Sequence, residues 1–294
     1  MDKTCIIIGS EGYLGKHIRH YAQFNGYVVK GCYDIAPSSG SPLYQCVDMT
    51  NKDSVDNINV DVDYIFMFAG LTGTYAGFDA YEKYITINEV GLLYLLDCIR
   101  NKGSKAKVIF PSTRLVYNGI DKPLKETDEK NPKTIYAINK LACEAILKAY
   151  YNTFGIPYTV YRICVPYGNE ISGDYSFGTI GFFLNKAKSG SPITLYGGGI
   201  QKRTFTHVAD ICRQILQTAT MSQTDGEIYN IGGETYSLYE VADIVNRNYH
   251  SVIQSTEWPE KDWLIESGDT YFDDEKIGQL IGNTVLHRLK EIDF

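Results

Sequence analysis

Five short apolar segments alternate with longer amphipathic segments through the first 165 residues of this 294-residue chain. The apolar segments predict buried strands at Thr4–Ile8, Tyr27–Tyr33, Tyr64–Phe68, Lys107–Phe110 and Tyr158–Ile163. The segments between them have the lengths and patterns of helices. Continuously apolar strands that alternate with helices are typical of parallel sheets covered on both faces. With right-handed crossovers, this pattern predicts a doubly wound α/β sheet.

The pattern becomes less regular after Pro166, where loops separate shorter elements. We predict a helix near Ile180–Ser189, a strand at Ile193–Tyr196, and helices at Thr206–Ala219 and Tyr236–Tyr249. Thr206 is the expected N-cap of its helix, with Asp210 in the first turn, where the helix dipole favours a carboxylate. This part of the chain is the predicted substrate-binding half.

Composition excludes several classes of partner. The net charge of -7 argues against nucleic-acid binding, because a phosphate backbone is met by a basic face. No apolar run approaches the roughly 18 residues of a membrane span. The seven cysteines are scattered singly, without the spacing of a zinc site, and predict buried free thiols in a reducing compartment. We therefore expect a cytoplasmic protein with no nucleic-acid or membrane partner and no metal.

Three glycines follow the first predicted strand in the pattern Gly9-x-x-Gly12-x-x-Gly15 and open the first helix. In this position a tight backbone turn lets a pyrophosphate approach a helix N-terminus. Asp34 ends the second predicted strand about twenty residues later, where a carboxylate can accept both ribose hydroxyls of an adenosine. Because this carboxylate would repel a 2'-phosphate, the pattern favours NAD over NADP. Asp48 could face the adenine amine.

Tyr136-x-x-x-Lys140 places a phenol and an ammonium on neighbouring turns of one predicted helix, with Ser112 and Thr113 upstream. An unperturbed phenol titrates near 10, so a nearby ammonium and an oxidised nicotinamide would both be needed to bring its phenolate within reach of pH 7. Such a phenolate can act as a general base. Together with a dinucleotide site, this arrangement predicts redox chemistry at an alcohol carbon.

The chain resembles the extended short-chain dehydrogenase/reductase family, and specifically its nucleotide-sugar epimerases and dehydratases. The motifs that carry the resemblance, in order, are Gly9 to Gly15, Asp34, Phe68-Ala69-Gly70, Asn88-x-x-Gly91, Pro111 to Tyr117, Tyr136-x-x-x-Lys140, Arg162 with Tyr167-Gly168, Gly197 to Asp210, and Tyr229 to Gly232. The resemblance implies a Rossmann-type NAD domain, residues 1–165 plus about 203–235. A smaller C-terminal α/β domain, about 166–202 plus 236–294, would bind a nucleoside diphosphate sugar.

The resemblance also implies a role for each matching residue. Tyr136 would be the base, Lys140 would bind the nicotinamide ribose and lower the pKa of the tyrosine, and Thr113 would be the catalytic hydroxyl, with Ser112 lining the same site. The implied cofactor contacts are Gly9, Gly12, Tyr13, Leu14, Gly15, Asp34, Ile35, Asp48, Met49, Phe68, Ala69, Gly70 and Asn88, together with Tyr136 and Lys140. The implied substrate contacts are Asn88, Arg114, Val165 and Arg203, the last of these on the diphosphate.

Three functions remain open at this point. The 4,6-dehydratases of the family have Asp-Glu after the catalytic threonine, and Arg114-Leu115 stands there instead. Because leucine cannot move a proton, dehydration is disfavoured, as is decarboxylation that relies on a glutamate at the second position. We predict epimerisation through a transient 4-keto sugar. The alternatives are an NAD(P)H-dependent reductase of a 4-keto-6-deoxy sugar nucleotide and a non-catalytic NAD- or nucleotide-binding protein.

Some positions depart from the family pattern and concern the substrate. Arg114 is expected to contact a carboxylate or keto oxygen of the sugar, and Val165 replaces an asparagine. Tyr271 stands where a second diphosphate-binding arginine is usual, and Lys202 is the candidate to replace it. Helices at about Asp79–Asn101 and Thr134–Phe154 carry more apolar positions than one sheet requires, which predicts a homodimer built on this helix pair.

Overall fold

The computed structural model describes residues 3–38, 40–171 and 177–294. The strands are β1 (Lys3–Ile8), β2 (Tyr27–Asp34), β3 (Tyr44–Cys46), β4 (Tyr64–Met67), β5 (Lys107–Thr113), β6 (Tyr158–Ile163), β7 (Val165–Tyr167), β8 (Ile193–Tyr196), β9 (Lys202–His207), β10 (Glu227–Asn230), β11 (Glu234–Ser237) and β12 (Ile253–Thr256). The α-helices are α1 (Tyr13–Phe24), α2 (Lys52–Asp56), α3 (Ala76–Asp79), α4 (Tyr81–Ile85), α5 (Gly91–Asn101), α6 (Ile135–Phe154), α7 (Gly178–Lys188), α8 (Val208–Thr218), α9 (Leu238–Asn246), α10 (Glu260–Ile265) and α11 (Glu275–Ile281).

Seven strands form one sheet in the order β3-β2-β1-β4-β5-β6-β10. Every neighbouring pair in it is parallel. The order reverses direction between β1 and β4, which is the switch point where open α/β sheets bind ligands beyond the carboxyl ends of their strands. The predicted doubly wound α/β sheet is confirmed.

The side chains of β1 show why helices cover both faces of this sheet. Ile6 and Ile8 pack into a core with residues of α5 and α6. Cys5 and Ile7 point the other way, into a second core with residues of α1, α8 and α11. Successive residues of a strand face opposite sides, and each fully buried aliphatic side chain stabilises the fold by about 1.5–3 kcal/mol. The continuous apolar run of β1 therefore requires two helical layers.

A smaller unit follows the sheet and has its own core. Strands β11, β9 and β7 form a three-stranded sheet, and β12 pairs with β8. Helices α7 and α9 pack over these strands around a third apolar cluster that includes Phe205 and Val241. Strand β9 leads into α8, which covers the large sheet, so the chain crosses between the two units.

The segment predicted as one helix over Asp79–Asn101 is interrupted. Helix α4 begins after Ala80 and a π-helical turn, Thr86–Val90, joins it to α5. Within this turn the amide of Asn88 accepts a hydrogen bond from the Leu71 backbone N–H (2.8 Å) and donates one to the Leu71 carbonyl (3.1 Å). The irregular turn thus carries a side chain that holds a neighbouring loop, a contact that local sequence pattern does not report.

The expected N-cap at Thr206 is wrong. Thr206 is still within β9, and its hydroxyl donates to the Gly232 carbonyl at 3.0 Å. His207 caps α8 instead, because its Nδ1 accepts from the Ala209 N–H at 3.3 Å. Asp210 does lie in the first turn, where its carboxylate accepts the backbone N–H groups of Leu286 and His287.

All seven cysteines are free thiols, and their burial only partly follows the expectation. Cys46 is exposed at the end of an edge strand and Cys164 is half-buried, whereas the others are buried.

None of the helices in the described ranges combines the length and apolar character needed to cross a bilayer.

Candidate active site

The glycine turn after β1 is dictated by close backbone approaches. Gly9 has φ +86°, and a Cβ there would lie 2.3 Å from the Ala69 backbone nitrogen. A Cβ on Gly15 would lie 2.0 Å from the Gly9 carbonyl oxygen, which lets α1 pack directly on the turn. Gly12 is different, because a Cβ there would meet only the Gly9 oxygen, at 3.4 Å. Two of the glycines therefore shape the turn, and Gly12 keeps the start of α1 open.

A cavity of about 250 Å³ lies beside this turn at the carboxyl ends of the strands. Nine of the residues predicted to contact the cofactor line it, namely Gly9, Gly12, Asp34, Ile35, Asp48, Met49, Phe68, Ala69 and Gly70. The sequence reasoning missed six more lining residues, Ile8, Glu11, Ala36, Val47, Leu71 and Ile87. Most of these flank predicted residues, and that adjacency was the signal that could have identified them.

Asp34 is positioned to bind hydroxyl groups in this cavity. Its two carboxylate oxygens accept the backbone N–H groups of Glu11 (2.8 Å) and Ala36 (2.9 Å). An ionised carboxylate has about four acceptor positions, so these two bonds fix its orientation and leave capacity for a ligand. The open approach at Gly12, the carboxylate at the end of β2 and the apolar walls fit an adenine dinucleotide.

Six predicted cofactor residues lie outside the cavity lining: Tyr136 and Lys140 on α6, and Tyr13, Leu14, Gly15 and Asn88. The Tyr13 hydroxyl donates to the Gly168 carbonyl at 2.7 Å, and its ring stacks on Phe177 with centroids 4.0 Å apart. Leu14 packs against the sheet. Gly15 is buried under the turn, and the Asn88 amide is engaged by the Leu71 backbone. Gly15 and Asn88 support the walls of the cavity through the lining residues Gly9 and Leu71.

Thr113 and Tyr136 meet where β5 ends and α6 begins. Thr113 is the last residue of β5, and its side chain lies close enough to Tyr136 to lower the pKa of the phenol. Helix α6 starts here because the hydroxyl of Thr134 caps it, accepting from the Ala137 N–H at 3.2 Å. Lys140 follows one turn later, with its Nζ 6.0 Å from the centre of the Tyr136 ring.

The pKa values of this pair differ from the expectation drawn from sequence. Burial raises the pKa of Tyr136 to about 12, although the nearby Thr113 side chain and the charge of Arg114 both lower it. Burial also lowers the pKa of Lys140 to about 8. The Lys140 ammonium donates to the Pro111 carbonyl at 2.8 Å and lies over the Phe110 ring. The free-energy cost of burying the Tyr136 phenolate is therefore larger than the stabilisation that the nearby Thr113 side chain and the Arg114 charge give to it.

Ser112 is directed away from Thr113 and Tyr136, contrary to the expectation that it lines the same site. Its hydroxyl donates to a carboxylate oxygen of Glu144 at 2.5 Å, in a buried cluster with Arg162 and Tyr117. Neighbouring residues of a strand face opposite sides of the sheet, so Ser112 and Thr113 cannot both face the same cleft.

Arg114, which follows Thr113, lies close enough to Arg203 for the two charges to repel each other, and one segment of the chain holds both. Arg114 donates from Nη1 to the hydroxyls of Ser267 (2.8 Å) and Thr270 (2.9 Å). Arg203 is buried and pairs with the carboxylate of Glu266 while donating to the Gly268 carbonyl. We call Glu266–Thr270, directly after α10, the arginine-holding segment.

The remaining predicted substrate positions are placed as follows. Val165 is buried in the core of the smaller unit, where its strand pairs with β9 opposite Phe205. The Lys202 ammonium lies 5.8 Å from the centre of the Tyr271 ring and pairs with Asp121 at 3.0 Å. Lys202 therefore occupies the neighbourhood of Tyr271. Among residues 3–38, 40–171 and 177–294, no group of three metal-ligating side chains is found.

A parallel sheet with a glycine turn, an acidic residue ending β2 and a cavity beside both defines a Rossmann-type protein. The chain belongs to the NAD dependent epimerase/dehydratase family, whose model matches residues 5–232. It is accordingly an NAD-dependent enzyme.

Relatives of this chain act on several nucleotide sugars. It is 29% identical over 267 residues to a UDP-N-acetyl-alpha-D-glucosaminuronate decarboxylase of Bacillus cytotoxicus, covering 85% of this chain and 82% of the relative. It is 26% identical to a UDP-glucuronate 4-epimerase of Thermodesulfobacterium geofontis, covering 82% and 79%. Its fold matches a Bacillus cereus UDP-glucuronic acid 4-epimerase, solved with UDP-glucuronic acid and NAD, with TM-score 0.84, 20% identity and coverage of 98% and 95%.

The glycine turn gives a matched pair of variants. We expect Gly15→Ala to lower the free energy of unfolding by about 1–3 kcal/mol, because its Cβ would overlap a backbone carbonyl. Gly12→Ala should leave the free energy of unfolding nearly unchanged. It should weaken NAD binding by about tenfold or more, because the added methyl group lies where the pyrophosphate would approach the N-terminus of α1. Urea unfolding and calorimetric titration with NAD measure the two effects. An equal loss of stability in both variants would contradict the assignment of Gly15 to packing of the turn and of Gly12 to cofactor access.

Proposed function

We propose that this enzyme epimerises a nucleoside diphosphate sugar at C4 through a transient 4-keto intermediate. The observation that carries the proposal is the meeting of Thr113 with Tyr136, one helical turn from Lys140, at the carboxyl end of β5. The same edge of the sheet forms the dinucleotide cavity. Two of the relatives described above are 4-epimerases of nucleotide sugars, which supports this reaction.

In the proposed reaction Tyr136 is the general base and acid. Its phenolate takes the proton of the sugar 4-hydroxyl as C4 is oxidised, and the phenol returns that proton after the keto sugar has turned. Bound NAD supplies the reversible two-electron acceptor and, when oxidised, a positive charge close to the phenol. Thr113 orients the phenol and favours its ionised form, and Lys140 adds positive charge while its ammonium is protonated. No external reductant is consumed.

The residues after Thr113 argue against elimination and decarboxylation at this site. A 4,6-dehydratase needs a second acid and base beyond the tyrosine, and Arg114 and Leu115 supply neither. Epimerisation requires only the groups that the cleft contains. We also propose that Asp34 makes the enzyme prefer NAD to NADP, because a carboxylate that accepts ribose hydroxyls repels a 2'-phosphate.

The domain bounds, the diphosphate contacts and the location expected from sequence are also proposed for this enzyme. We propose that residues 1–165 with about 203–235 form the NAD domain and that about 166–202 with 236–294 form the substrate domain. Arg203 and Lys202 are the proposed diphosphate contacts, and Arg203 must exchange its Glu266 partner for phosphate to serve as one. Free thiols and an NAD cofactor suit the proposed cytoplasmic location.

We further propose a homodimer built on α4–α5 and α6. Large apolar side chains on these helices are exposed, including Tyr81, Ile85, Ile138 and Phe154. A row of exposed apolar groups on adjacent helices is typical of a protein interface. We expect Ile85→Glu/Ile138→Glu to halve the mass in light scattering. Phe24→Glu, at an exposed apolar residue on α1, should leave the dimer intact, and a monomeric wild type would contradict the proposal.

Two measurements test the reaction. The nucleotide released by heating the purified enzyme should be NAD, held through purification as a catalytic rather than a consumed cofactor. Incubation with UDP-, GDP-, CDP- and dTDP-sugars without added cofactor should give an inverted C4 centre by NMR. Turnover only with added NADPH would indicate the one-way reductase instead, and absence of any conversion would reject the proposal.

A further inference from the structure

Arg114 is a half-buried cation whose charge has no carboxylate partner among residues 3–38, 40–171 and 177–294. Both of its hydrogen bonds go to neutral hydroxyls, those of Ser267 and Thr270. Glu266 acts on it electrostatically, but that carboxylate is bound to Arg203. Arg162, the other arginine of this region, has Glu144 as its own partner. In the part of the chain that the structure describes, Arg114 therefore differs from both neighbouring arginines.

Holding this charge in the cleft is costly, and the fold nevertheless fixes it there. Burial lowers the pKa of Arg114 to about 10, and repulsion from Arg203 acts in the same direction. A buried charge without an ionic partner costs free energy that a bound anion would offset. The arginine-holding segment is itself anchored, because the Lys202 N–H donates to Asp269 at 2.9 Å and the Thr270 N–H donates to the Lys202 carbonyl at 3.1 Å. The guanidinium is thus preorganised for an anion.

The place of Arg114 in the chain indicates which part of the substrate it reaches. It directly follows Thr113, whose side chain lies beside Tyr136, and Arg114 and the Tyr136 phenol act on each other electrostatically. If Tyr136 works on the 4-hydroxyl of a pyranose, the neighbouring ring carbon C5 carries the exocyclic C6 group. The diphosphate is attached at C1, across the ring from C4. A cation beside the base at C4 is therefore placed to reach C6, whereas its charged neighbour Arg203 is the proposed diphosphate contact.

We propose that Arg114 binds a C6 carboxylate, so that the substrate is a nucleoside diphosphate uronic acid. This inference rests on the proposed epimerisation at C4. A carboxylate supplies the charge that Arg114 lacks and two oxygens for its remaining N–H groups. Neutral hexoses offer only a hydroxyl at the same carbon.

Binding measured in a Tyr136→Phe background separates recognition from turnover. Calorimetric titration of the NAD-loaded enzyme with UDP-glucuronate, UDP-glucose and UDP, and with GDP-mannuronate and GDP-mannose, compares acidic and neutral sugars on two bases. We expect the acidic sugar of the accepted base to bind about 10- to 100-fold more tightly than its neutral partner. Adding Arg114→Gln should abolish this difference, Arg114→Lys should retain part of it, and UDP should bind within about twofold throughout.

The outcomes distinguish this inference from the proposed reaction. Equal weakening of acidic sugar, neutral sugar and free diphosphate by Arg114→Gln would assign Arg114 to the diphosphate or to folding, and would overturn the inference. Equal or tighter binding of the neutral sugars by the unmodified cleft would also overturn it. Arg114-dependent binding of an acidic sugar that the wild type never epimerises would support the carboxylate contact and reject the proposed reaction. Thermal unfolding of each variant confirms that the protein is folded.

Discussion

Replacing Tyr136 by phenylalanine is expected to lower kcat by about 10²- to 10⁴-fold, the usual contribution of a positioned acid–base group. The substitution removes only the phenol oxygen, so the half-buried ring keeps its place beside Thr113. Folding and NAD binding should persist. Turnover followed by NMR at saturating sugar nucleotide, together with the melting temperature and calorimetric NAD titration, measures the three properties.

Tyr150 on the same helix provides the control. Its hydroxyl bonds to the Asp97 carboxylate at 3.0 Å, and the residue lies more than three helical turns beyond Tyr136. Tyr150→Phe should leave kcat within about twofold. If Tyr136→Phe also retained wild-type turnover, the phenol would have no part in the chemistry, and the proposed reaction would lose its base.

Glu144→Ala is expected to lower the free energy of unfolding by about 3–5 kcal/mol. Glu144 accepts two hydrogen bonds from Arg162, at 3.0 and 2.6 Å, and one from Ser112. Both charged side chains are almost completely buried. Removing the carboxylate leaves an unpaired guanidinium in the interior, which is the source of the large expected cost. Urea unfolding measures the loss directly.

Two further variants test that explanation. Glu227→Ala breaks an exposed pair with Lys276 and should change the free energy of unfolding by at most about 1 kcal/mol. Combining Glu144→Leu with Arg162→Met should recover much of the loss, because no unpaired charge remains. A cost below about 1 kcal/mol for Glu144→Ala, or no recovery in the double variant, would show that the unpaired Arg162 charge is not the source of the loss.

The large sheet and the cofactor cavity could be predicted from sequence because local pattern specifies them. The apolar run of β1 requires helices on both faces, and the spacing of Gly9 and Gly15 follows from contacts within the turn. Strand β10 could not be placed in the same way. It joins the edge of the sheet next to β6 after the chain has left to build β7, α7, β8 and β9, and no local signal specifies that return.

The substrate side of the site illustrates the same limit. Arg203 is paired with Glu266, 63 residues further along the chain, and no spacing in the sequence indicates that contact. The opposite orientations of Ser112 and Thr113 could have been foreseen from the alternation of a strand. The direction of the Tyr136 pKa shift could not, because it depends on how deeply the phenol is buried. Long-range pairing and burial therefore account for most of the differences between the site expected from sequence and the site in the structure.

The arginine-holding segment has a consequence for how this enzyme could diverge or be redesigned. The oxidation and reduction chemistry is built on β5 and α6, whereas the groups that orient Arg114 and Arg203 come from five consecutive residues near the other end of the chain. Exchanging those five residues between homologues would retune substrate choice while sparing the reaction centre. With Arg114 and Arg203 in their proposed roles, we expect substrate selectivity to be transferred together with this segment.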